Sequence, residues 1–74
     1  MSQKIDLTAV IEKEGDSYVA FCPELDIASQ GESAADAKLN LIEALELFFE
    51  CASDNEIHAR LNNELEISKI TVHI

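Results

Sequence analysis

Ser33-Ala34-Ala35-Asp36-Ala37-Lys38-Leu39-Asn40-Leu41-Ile42-Glu43-Ala44-Leu45-Glu46-Leu47-Phe48-Phe49-Glu50-Cys51-Ala52 is the stretch that decides the fold. Ser33, with Asp36 three residues on, resembles a capping box ahead of an apolar-periodic run. No Gly or Pro interrupts Ala34 to Ala52, and most of those residues are strong helix formers. At 100° per residue Ala37, Leu41, Ala44, Leu45, Phe48 and Ala52 fall on one stripe, which should face a sheet. Ile42 and Phe49 widen that stripe on one side, while Asp36, Glu43, Glu46 and Glu50 gather opposite it. About 19 residues at 1.5 Å rise give a helix of roughly 28 Å. A ten-residue strand spans roughly 33 Å, so this one helix can cover a small sheet.

Upstream of the helix, Lys4 to Lys13 alternates, with Ile5, Leu7, Ala9 and Ile11 on one face, and reads as a first strand. Glu14-Gly15-Asp16-Ser17 is a turn, because Gly15 takes a positive φ at little cost. Tyr18 to Cys22 is a second strand, ended by Pro23, which has no N–H for a ladder. Leu25 to Gln30 reads as a third strand, broken by Gly31. Two hairpin registers stay open. A two-residue loop at Glu14-Gly15 pairs Ile11 with Tyr18, and a three-residue loop with a Gly bulge sets Val19 beside Ile11. A one-residue slip swaps faces, so either Tyr18 or Phe21 faces the helix.

Downstream, Ser53 with Glu56 repeats the cap pattern and opens a short helix from Asp54 to Leu61, with Asn62-Asn63 as its exit. Glu64 to Ile74 alternates again through Leu65, Ile67, Ile70, Val72 and Ile74, with a phase slip at Ser68-Lys69 that suggests a bulge. The order is β-β-β-α-(α)-β. This is a small α+β domain with a three- to four-stranded, mainly antiparallel sheet and one long helix on one face. Apolar residues occupy both sheet faces and one helix covers only one of them. A homodimer or higher homo-oligomer is therefore expected, with Val10, Ile42 and Phe49 at its interface.

The composition bounds the function. Fifteen acids against five bases give a net charge of −10 over 74 residues, and the pI is near 4.3. This length makes one domain, 1–74, which buries only about 60% of its unfolded surface. Direct nucleic-acid binding is not expected, since phosphates need a basic patch. The charge also disfavours anionic membranes. There is no 18-residue apolar run and no signal-peptide pattern at the start. Cys22 and Cys51 lack a CxxC spacing and suit a reducing cytoplasm.

Few residues suggest chemistry. His58 and His73 stand apart, without ligand spacing, and no metal or cofactor is expected. Cys22 has no identifiable base, and Glu24 and Asp26 beside it would raise its pKa. Asp6 with Glu43 or Glu46 offers part of a two-metal nuclease set, but the last strand supplies Lys69, Thr71 and His73 where another acid is needed. No catalytic residue is assigned. The acidic surface has two readings, solubility and attraction of a basic partner.

The run Tyr18-Val19-Ala20-Phe21-Cys22-Pro23-Glu24-Leu25-Asp26, followed by Ser29-Gln30-Gly31-Glu32-Ser33, continues into Ala37, Asn40-Leu41 and Glu43-Ala44-Leu45-Glu46-Leu47. This pattern resembles the HicB family of type II toxin–antitoxin antitoxins over nearly the whole chain. The resemblance implies a partial RNase H-like domain without nuclease activity. It implies an antitoxin that oligomerises and neutralises a HicA toxin, a small basic mRNA interferase. A contact surface from Asp36, Glu43, Glu46 and Glu50, or one from the loop of Glu24 and Asp26, would offer such a toxin carboxylates where it presents bases for RNA. Longer members carry an added DNA-binding domain, and this chain stops at Ile74, so operator binding is not expected of it. The competing expectation is an orphan homo-oligomeric interaction module with no toxin.

Overall fold

The computed structural model describes residues 4–62 and 65–74. Three strands, β1 (Val10–Glu14), β2 (Ser17–Cys22) and β3 (Ile27–Gly31), form an antiparallel sheet in the order β1-β2-β3. Two helices follow, α1 (Ala34–Cys51) and α2 (Asp54–Leu61). The chain is an α+β domain, as its periodicities require. Both helices start where their caps place them. The Ser33 hydroxyl accepts from the Asp36 N–H at 3.0 Å, and the Ser53 hydroxyl accepts from the Glu56 N–H at 3.1 Å. Each cap satisfies a donor that the helix start would otherwise leave free. Asn62 caps the end of α2 with φ −88° rather than in the left-handed region, and Asn63 lies outside the described residues.

Neither anticipated hairpin register forms. The loop is Gly15-Asp16, and Ile11 faces Ala20, Lys13 faces Tyr18 and Glu14 faces Ser17. Gly15 has φ +59°, the first-position glycine that a two-residue hairpin loop accommodates. The register puts Tyr18, Ala20 and Cys22 on the helix side. Phe21 and Val19 lie on the other.

The first strand is half as long as its alternation suggests, for a reason carried by Pro23. Continuing the register of Val10 with Phe21 sets Thr8 opposite Pro23, which donates no N–H. The β2–β3 loop, Pro23–Asp26, then carries the chain away from the sheet edge. It holds Asp26 at φ +56° and buries Leu25 completely. Leu25 therefore belongs to this loop and not to β3. Gly31 is the last residue of β3, one beyond the expected end at Gln30.

The core is Ala20 and Cys22 of β2, Leu25 of the loop, and Ala37 and Leu41 of α1, all fully or almost fully buried. Leu7, Tyr18, Ile27, Leu45, Phe48, Phe49 and Leu61 pack around it. Helix α1 lies over β3 and β2 and touches β1 only lightly. Its approach to β3 is close. A Cβ at Gly31 would fall on the backbone nitrogen of Ala37 and within 2.8 Å of the Asp36 Cβ.

The expected last strand is a correction. Residues 65–74 form neither strand nor helix and are exposed throughout. Alternation reports which side chains share a face, but a strand exists only against a hydrogen-bonded neighbour, and residues 65–74 have none among the described residues of the single chain.

Candidate functional site

The helix carboxylates converge as expected. Glu43, Glu46 and Glu50 are exposed along the outer side of α1, with Asp36 one heptad before Glu43 in its first turn. Spacings of three, four and seven residues put these groups on one line. Sequence reasoning missed what lies among them. Leu39 and Leu47 are 59% and 58% exposed on the same side, so the ridge alternates acids with apolar side chains. The ridge costs the helix stability. Like charges three and four residues apart repel by a few tenths of a kcal/mol per pair. Glu46 and Glu50 also sit toward the negative end of the helix dipole, and the last turn has no base. Helix α2 is the opposite case, with Asp54 and Glu56 in its first turn and His58 and Arg60 in its last.

The two loop carboxylates have local duties. Glu24 accepts from the Thr8 N–H at 3.1 and 3.0 Å and from the Thr8 hydroxyl at 2.6 Å. It thereby gives the Thr8 N–H and hydroxyl an acceptor outside the β1–β2 ladder. Burial alone would push the Glu24 carboxyl up, but the hydrogen bonds it accepts from Thr8, from its own backbone and from Cys22 together hold the group below its ordinary value. Asp26 occupies the left-handed position of its loop, a conformation that Asp tolerates better than most side chains.

Cys22 is fully buried against the core, and its thiol lies 3.5 Å from the Glu24 carboxylate. Burial foremost, with the adjacent carboxylate, pushes that thiol up, away from the thiolate a nucleophile needs. Cys51 is a second free thiol, and exposed. Asp6 lies in the segment before β1, and His58 and His73 are exposed on α2 and in residues 65–74. Among the described residues no three His, Cys, Asp or Glu side chains converge as for a metal ion.

The three residues assigned to an oligomer interface lie in different surroundings. Val10 is 42% exposed and lines the open sheet face with Glu12, Val19, Phe21 and Ala28. Ile42 is equally exposed on a flank of α1. Phe49 is half-buried, edge-on to Phe48 with ring centroids 5.4 Å apart.

Two anchoring residues carried no recognisable signal in the sequence. Arg60 donates to the Leu25 carbonyl at 2.6 Å and lies 5.3 Å above the Phe48 ring, which fixes α2 to the β2–β3 loop. Asn40 donates to the Gln30 carbonyl at 2.7 Å and ties one flank of α1 to β3. Both contacts join residues distant in the chain, and no local spacing encodes them.

No helix among the described residues is long and apolar enough to cross a membrane. The chain matches no family model, no curated protein and no solved structure.

Proposed function

We propose that this chain is an antitoxin of the HicB kind. It binds a small basic mRNA interferase in the cytoplasm and neutralises it by occupying its RNA-binding or catalytic surface. The observation that carries the reading is the outer ridge of α1. Glu43, Glu46 and Glu50 are held there against helix stability, with Leu39 and Leu47 exposed among them. Solvation alone calls for charge but not for interleaved leucines, whereas docking calls for both an apolar anchor and carboxylates aimed at bases. The Tyr18–Ser33 signature and its continuation into α1 support the same family. Glu24 is already engaged by Thr8, so the ridge, rather than the β2–β3 loop, is the contact surface. The protein acts stoichiometrically, with no cofactor and no catalytic step of its own.

The test is co-expression with the product of a neighbouring small basic gene, followed by a ribonuclease assay. The complex should co-purify and cleavage should stop. The double variant Glu43→Lys, Glu46→Lys should restore cleavage while the fold is retained. Undiminished cleavage with the unmodified chain present would sink the proposal. A second reading, an orphan homo-oligomeric module, is favoured by one observation, the exposed apolar segment 65–74.

A further inference from the structure

Two separate parts of the chain are fastened to adjacent residues of the β2–β3 loop, Pro23–Asp26. Glu24 holds the segment before β1, since its carboxylate accepts from the Thr8 N–H at 3.1 and 3.0 Å and from the Thr8 hydroxyl at 2.6 Å. Leu25 holds α2, since its carbonyl accepts from the Arg60 guanidinium at 2.6 Å while that group sits 5.3 Å above the Phe48 ring. Among the described residues no hydrogen bond joins Thr8 to Arg60.

Each fastened part leans on its anchor. Residues 4–9 belong to no strand, so Thr8 has no ladder to hold it, and Leu7 packs only partly buried against the core. Helix α2 buries no residue fully, and Leu61 meets the core from its last turn. The loop between the two is constrained at both ends. Pro23 has a fixed φ. Asp26 stands at φ +56°, a conformation that persists where the surrounding contacts hold it. The carbonyl that Arg60 grips lies in the planar Leu25–Asp26 peptide unit, so releasing it frees the φ of Asp26. The carboxylate that grips Thr8 hangs from the residue just before. Leu25 itself is fully buried, so the peptide unit cannot turn far without drawing its side chain from the core.

We propose that this loop is a two-position coupler between α2 and the segment before β1. In the docked position it holds both. When either anchor is released, the Leu25–Asp26 peptide turns, Asp26 leaves its positive φ, and the hold on the other part weakens. A partner that draws α2 away thus loosens residues 4–9, and one that presses α2 down tightens them. The effect is reciprocal, because both sites bias the same element. The inference does not rest on the antitoxin reading and is tested without any toxin.

Nuclear magnetic resonance of the full chain reads the coupling from both ends. Arg60→Met keeps an apolar side chain on Phe48 and removes the donor to Leu25. It should speed hydrogen exchange of the Thr8 N–H by about fivefold or more, while the Leu41 N–H in the middle of α1 exchanges as before. Thr8→Val removes the 2.6 Å hydroxyl bond to Glu24. It should move the Arg60 side-chain resonances toward unshifted positions, as the guanidinium spends less time over the Phe48 ring. Unchanged Thr8 exchange in Arg60→Met overturns the proposal. So does equal acceleration at Leu41, since Arg60 then acts through global stability alone. Arg60 resonances untouched by Thr8→Val overturn it as well, and that arm decides alone if Arg60→Met fails to fold.

Discussion

A single methyl group added at Gly31 reports how closely α1 approaches the sheet. The two nearest atoms it would meet are backbone and the third is the Asp36 Cβ, all in the first turn of the helix, and none of them can swing aside as the end of a long side chain can. Gly31→Ala should therefore destabilise the fold by about 2–3 kcal/mol in denaturant melts. Asp26 is the converse case. It holds a positive φ that costs an L-residue about 1 kcal/mol and that glycine adopts freely. Asp26→Gly should raise stability by about 0.5–1 kcal/mol, and a melt showing loss would exclude strain at this position. Glu24 links stability to pH. Its folded carboxyl is held below the ordinary value, first against burial and then through Thr8. Its contribution is therefore complete above the unfolded value of about 4.3 and is lost as pH falls through the folded value. Glu24→Gln should remove that part of the acid limb, read as a shallower fall in melting temperature below about pH 4. None of these three roles is visible in the local sequence. Gly31 reads as a strand breaker, Asp26 as a surface charge and Glu24 as a docking carboxylate. The partner that defines Glu24 is Thr8, sixteen residues away.

The helices are legible in the sequence because their signals are local. Ser33 with Asp36 and Ser53 with Glu56 place both starts, and the α1 stripe identifies Ala37 and Leu41 as buried. The first three strands are legible in number but not in register or length. Register turns on which two residues form the loop, and Gly15-Asp16 is one step along from Glu14-Gly15. The length of β1 turns on Pro23, across the ladder. The last strand is not legible: residues 65–74 alternate in sequence yet form no strand, because alternation does not supply a ladder neighbour, and they have none among the described residues. At the level of α1 the proposed reading sets helix stability against recognition at the outer ridge. Replacing Glu50 by Lys removes one i,i+4 repulsion with Glu46 and adds a cation near the helix end that lacks one. Glu50→Lys should stabilise the helix by about 0.5 kcal/mol while weakening capture of a basic toxin. Improved stability with undiminished capture would move the contact off this ridge.

For the whole molecule the relevant quantity is −10 elementary charges on a 74-residue chain. It opposes one association and favours the other. The expected homodimer would bring two such charges together. At about 0.01 M salt the Debye length is about 30 Å and most of the repulsion is felt, while at about 0.15 M it is about 8 Å and most is screened. The homodimer should therefore tighten as salt is raised over this range. On the proposed antitoxin reading, capture of a basic toxin would gain from the same charge through steering and close pairing, and should weaken over the same range. Sedimentation equilibrium of the chain alone, and a binding titration with the toxin, read the two slopes separately. Opposite signs would separate self-association, opposed by net charge, from toxin capture, favoured by it. A toxin affinity that rose with salt would mean that Leu39 and Leu47, rather than the glutamates between them, dominate the ridge.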